Sequence, residues 1–153
     1  MLIEVKVKVA RVIDGKTRKR TETYVMDKEF FSQAEYAVTE LLNEDTTIED
    51  FQIQNLKLSQ IKEIDDQSIN NSIPSFIATL IDIFLHDDGT EKKLKYKVLL
   101  WADNLTAANR RANELSHQGY DMQIEGIKQV DYEYLAEQTN QEEEAERESQ
   151  QSY

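Results

Sequence analysis

The chain of 153 residues contains no cysteine, which excludes a disulfide framework and any thiolate-ligated zinc or iron–sulfur site and fits a reducing, intracellular setting. It has only four glycines, too few and too scattered to assemble a phosphate loop or a dinucleotide fingerprint. Histidine is equally sparse. His86 and His117 have no second His or Cys at ligand spacing, so both read as surface residues, one beside a turn and one past a helix end. Basic residues are outnumbered, 18 Lys and Arg against 30 Asp and Glu, and the net charge of -12 opposes wholesale binding to phosphate backbones. Long apolar runs are missing too. The start, Met1-Leu2-Ile3-Glu4-Val5-Lys6, alternates with charge, unlike a signal peptide or membrane span, so a soluble cytoplasmic protein without membrane contact is expected.

What is present is periodicity. Ile3, Val5, Val7 and Val9 alternate with charged residues in the pattern of a half-buried strand, and Asp14-Gly15 reads as a hairpin turn. The return strand passes through Thr21, Thr23, Tyr24 and Val25. Ser32 and Glu35 then have the spacing of a capping box, with Phe31 and Tyr36 as its hydrophobic staple, ahead of a helical stripe of Ala34, Ala37, Val38, Leu41 and Leu42. Phe51 and Ile53 begin a third strand, and the change of apolar phase before Leu56 predicts a bulge at Asn55.

The plan then repeats. A shift of 74 residues sets Ile81 on Val7, Ile83 on Val9, Asp88-Gly89 on Asp14-Gly15, Leu99 on Val25, Thr106 on Ser32 as the second helix cap, and Ala108 on Ala34. At a shift of 71, Met122 to Ile124 lies on Phe51 to Ile53 and Gly126 on Asn55, two residue types that tolerate left-handed backbone. We therefore expect an α+β protein of two tandem ββαβ units related by a pseudo-twofold, mainly antiparallel, with two amphipathic helices on the sheet. The first unit spans 1–64 and the second 76–136. Residues 65–75, which include the only proline, Pro74, read as a polar linker. Neither unit of about 60 residues hides enough apolar surface alone, so the two should stack. The run from Phe76 to Leu85 is apolar on both faces, as a central strand requires. Residues 137–153 carry six Glu and one Arg, an acidic tail expected to be disordered or a frayed helix.

Tyr24-Val25-Met26-Asp27 followed by Phe31-Ser32-Gln33-Ala34-Glu35 resembles the signature of a domain of unknown function from gut Bacteroidetes and their crAss-like phages. The resemblance covers most of residues 3–135 and implies a tandem α+β architecture and a phage or mobile-element source. It departs at Lys28-Glu29 and in the acidic tail, and it implies no activity, cofactor or catalytic residue.

Asp65-Asp66 and Asp87-Asp88-Gly89 read as turn chemistry, and no calcium loop continues through Thr90 to Lys93. Arg110 and Arg111 read as a solvated helix face. The conspicuous feature is basic charge at the hairpins: Lys16, Arg18, Lys19 and Arg20 at the first, Lys92, Lys93, Lys95 and Lys97 at the second. If symmetry put both clusters on one side they would form a phosphate-binding strip, with Tyr24, Tyr96 and Trp101 stacking on bases. The plainer explanation is that lysines blunt exposed sheet edges and the aromatics are core. No cofactor or metal is expected. The leading expectation is a non-catalytic interaction protein with an unknown protein partner, and self-association through sheet edges stays open. The alternative is a nucleic-acid accessory protein autoinhibited by its tail, a partner that net charge disfavours.

Overall fold

The computed structural model describes residues 1–118 and 122–136, so the expectation for the acidic tail lies outside the described residues. The first half runs β1 (Leu2–Ile13), β2 (Lys16–Asp27), α1 (Phe31–Glu44), β3 (Ile48–Leu58) and β4 (Ile61–Ile64). The second runs β5 (Ser75–Leu85), β6 (Glu91–Trp101), α2 (Leu105–Ser116), β7 (Met122–Val130) and β8 (Tyr132–Leu135). The expected α+β class is observed, and the repeat builds two similar four-stranded sheets, ordered β3-β1-β2-β8 and β4-β6-β5-β7.

The short last strand of each half leaves its own sheet. β4 follows β3 after two residues but pairs in parallel with β6, Ile61 opposite Lys97. β8 follows β7 after one residue and pairs in parallel with β2, Tyr132 opposite Thr23. The exchange is reciprocal, as a pseudo-twofold between halves requires. Strands that switch sheets in this way form the corners of a two-sheet packing.

Each sheet has a helix on one face. In the first, Ile3, Val5, Val7, Val9, Tyr24 and Met26 meet Ala34, Val38 and Leu42 of α1. In the second, Phe76, Ala78 and Leu100 meet Ala108 and Ala112 of α2. The other faces share a third cluster: Val25 and Tyr132 from one sheet, Ile61, Ile77, Leu99 and Trp101 from the other. Residues 65–75 contribute Ile69 and Ile73 to it, so the polar connection is anchored by apolar side chains. As expected, β5 is central, with Phe76, Ala78 and Leu80 toward α2 and Ile77 toward the shared cluster.

Several local expectations are corrected. α1 starts at Phe31, so Ser32 and Glu35 both lie within the helix rather than at its cap; the Gln33 side chain instead accepts from the N–H groups of Glu29 and Phe30, each at 3.1 Å. Phe31 and Tyr36 are exposed and form no staple. Thr106 is likewise helical, and Asn104 caps α2 by accepting from the Ala107 N–H at 2.8 Å. The bulges fall beside Asn55 and Gly126 rather than on them: the register shifts between Lys6/Asn55 and Val7/Ile53, skipping Gln54, and between Thr79/Gly126 and Leu80/Ile124, skipping Glu125. Neither has positive φ, so left-handed tolerance is not the reason for them.

The repeat alignment also slips by one residue in its first strand. Ile3 pairs with Met26 and Phe76 with Leu100, so β5 lies on β1 at a shift of 73 while β6 lies on β2 at 74. Leu80, not Ile81, takes the place of Val7. The extra residue sits in the hairpin. The first turn has two residues, Asp14 (φ 52°) and Gly15 (φ 74°), a primed turn that fits the strand twist. The second is longer: the Gly89 N–H donates to His86 O and the His86 N–H to Thr90 O, with Gly89 at φ 85°.

Candidate functional site

The outer half of each hairpin stands clear of its helix, and here the repeats have diverged. Directly paired residues of antiparallel strands share a face. Arg11, Arg18, Arg20 and Glu22 therefore lie on the helix-covered face of the first hairpin, beyond Val9 and Tyr24. The corresponding positions of the second are Phe84, Lys92, Leu94 and Tyr96.

On the first hairpin the charges are tied together. Arg11 grips Glu22 with two bonds, Nε to Oε2 at 2.6 Å and Nη2 to Oε1 at 2.7 Å, and its Nη1 reaches Asp45 Oδ2 at 2.7 Å. Arg20 Nε and the Tyr24 hydroxyl each donate to Glu22 at 2.6 Å. Burial alone would raise the Glu22 pKa, but the bonds from Arg11, Tyr24 and Arg20 outweigh it and hold the carboxyl down at about 2. Asp45 is held at about 2 by its bonds from Thr47 and Arg11. Two cations are hydrogen-bonded to two carboxylates, so the bonded network balances its charge and acts as a strut between the hairpin and the end of α1.

The eight basic residues singled out from the sequence are not equivalent. Only Arg18 with Lys92 and Lys19 with Lys93 match across the repeat, and the two clusters stand on different sheets. Arg20 belongs to the strut, Lys95 pairs with Glu125 at 2.9 Å, and Lys97 Nζ donates to Gln60 Oε1 at 3.0 Å. Lys16, Arg18, Lys19, Lys92 and Lys93 are exposed and make no ion pair among the described residues. Base stacking by Tyr24 and Trp101 is ruled out by burial: Tyr24 serves the strut, and Trp101 packs against Tyr134 in the shared cluster. Tyr96 lies under Lys62, whose Nζ is 5.3 Å from the ring centroid.

Beside Lys97 the second sheet is hollowed into a groove of about 500 Å³ lined by Gln60, Thr79, Lys95, Tyr96, Lys97, Glu125 and Gly126. Lys97, Thr79 and Gly126 are paired neighbours on three adjacent strands, so they form one row across its floor. The matching row of the first sheet is Thr23, Lys6 and Asn55.

The remaining candidates resolve into structure. Asp88 accepts from the Thr90 N–H and hydroxyl, at 3.0 and 2.6 Å, which lowers its pKa and closes the second turn. Asp65, almost fully buried, is held by Arg111 through two bonds of 2.7 and 2.8 Å. Arg111 is thus an anchor for residues 65–75 rather than solvated surface; its sequence gives no sign of this, because the partner lies 46 positions away. Among the described residues no group of three or more His, Asp or Glu is placed to hold a metal, and no helix is long and apolar enough to cross a membrane.

No match was found among curated proteins or among solved structures. A family model does match, over residues 1–145, and the chain belongs to that family, the domain of unknown function DUF4494.

Proposed function

We propose that this is a non-catalytic interaction protein that engages a protein partner through its second hairpin. The observation that carries this reading is the apolar tip: Phe84, Leu85 and Leu94 are 45, 75 and 42 % exposed where the first hairpin has Arg11, Val12 and Arg20. Phe84 and Leu94 are diagonal neighbours on one face, and contiguous exposed apolar groups mark association surfaces. The protein is taken to act in the cytoplasm, that of a host if the gene is phage-borne. The test is capture of partners from the native cell with the wild-type chain and with Phe84→Ser/Leu94→Ser. Because both side chains are exposed, the variant should melt within about 2 °C of wild type. It should lose the captured protein; equal recovery with both chains overturns the reading.

A second reading rests on Lys93, Lys95 and Lys97, which alternate along one face of β6 about 6.7 Å apart, near the phosphate spacing of an extended strand of nucleic acid. Retention on single-stranded DNA that falls steeply with salt and strengthens on removal of residues 137–153 favours it. Absence of retention at low salt retires it.

A further inference from the structure

We infer that the groove on the second sheet is a binding site for a small phosphate monoester. The argument starts from Gly126. Its φ is not positive, and a Cβ built on it meets no atom within 4 Å, so neither backbone conformation nor packing calls for glycine there. Glycine within a strand marks either a bulge or close approach by another group, and the matching bulge of the first sheet has Asn55 at the equivalent position, so the bulge alone does not require glycine. The duplicated sheet shows what was changed: the matching row carries Lys6 at its centre and Asn55 beside it, whereas here Thr79 and Gly126 leave the centre open and the ammonium stands at one side, on Lys97.

The donors suit a tetrahedral anion. Among the described residues Lys97 Nζ bonds only the neutral Gln60 Oε1 and has no carboxylate partner. Lys95, the next residue on that face, stands at the rim, and its ion pair with Glu125 is open to water, so the ammonium exchanges partners at little cost. The Thr79 hydroxyl completes the set. Two ammoniums against one carboxylate leave one net positive charge for a group carrying between one and two negative charges at neutral pH. The about 500 Å³ is the size of a small-ligand site. The site is independent of the hairpin tip and of its partner.

The test is titration of the full chain with phenyl phosphate and inorganic phosphate, read from the backbone amide resonances of Thr79, Lys97 and Gly126, with sodium chloride at matched ionic strength as control. Phenyl phosphate should give saturable shifts confined to the groove. Lys97→Gln should weaken binding by about tenfold, as loss of one charge-assisted bond does. Gly126→Leu should abolish it while leaving the melting temperature unchanged, because the new side chain enters open space. A non-saturating response, one matched by chloride, one limited to inorganic phosphate, or one unchanged in Gly126→Leu overturns the assignment.

Discussion

Glu22 collects donors from Arg11, Arg20 and Tyr24, and its loss leaves the largely buried Arg11 guanidinium with Asp45 as its one bonded carboxylate and the exposed Arg20 with none. Glu22→Gln should therefore destabilise the fold by about 3 kcal/mol, read by urea unfolding at pH 7. The pH dependence has a definite sign. A carboxyl held at about 2 in the folded state, against 4.5 ordinarily, binds fewer protons folded than unfolded. Its contribution is complete above pH 4.5 and disappears as pH falls toward 2, so the gap between wild type and variant should close over that range. Glu133 behaves in the opposite way. Burial first and the Glu22 charge second raise its pKa, and its carboxylate makes no hydrogen bond or ion pair among the described residues. Its contribution is most favourable below pH 4.5 and is lost as pH rises through its folded pKa. Glu133→Gln should be more stable than wild type at pH 7, with the advantage vanishing near pH 4; equal stability at both pH values refutes this.

At the scale of the elements, the caps give a sharp comparison. Asn104→Ala should cost about 1 kcal/mol, while Ser32→Ala and Thr106→Ala should stay within about 0.5 kcal/mol, since only Asn104 receives an end N–H. Thermal melts of the three variants decide it. Gly15→Ala should cost about 1 kcal/mol or more, because its φ of 74° is strained for any residue with a Cβ. Strands and hairpins were legible because alternation from Ile3 to Val9 and the Asp-Gly pairs each point to one structure. Register was not. The run Phe76 to Leu85 is apolar on both faces, so Ile81 matches Val7 as well as Leu80 does, and only pairing geometry separates the two. The caps misled for a related reason: Ser32 and Thr106 align, but each helix begins one residue before them. β4 and β8 were invisible because four residues are too few to show a period. The groove was half legible: the alignment set Gly126 on Asn55, but the reason it suggested, left-handed backbone, is not the one the structure shows.

For the molecule as a whole, the shared cluster of Val25, Ile61, Leu99 and Trp101 draws on both halves, and each sheet is completed by a strand from the other. Residues 1–74 expressed alone lack β8 and leave the outer edge of β2 and the face around Val25 uncovered. Such a fragment should show no cooperative urea transition as a dilute monomer, whereas mixing it with residues 75–136 should restore one; a cooperative transition in the lone monomer contradicts this.

The reciprocal crossing of β4 and β8 carries a further consequence. Because Ile61 meets Lys97 where Tyr132 meets Thr23, the handover has the geometry of a domain-swapped homodimer drawn within one chain. Carrying both halves on one chain makes their assembly independent of concentration and lets the two differ in sequence. One arm could then become cationic and the other greasy without either change being duplicated.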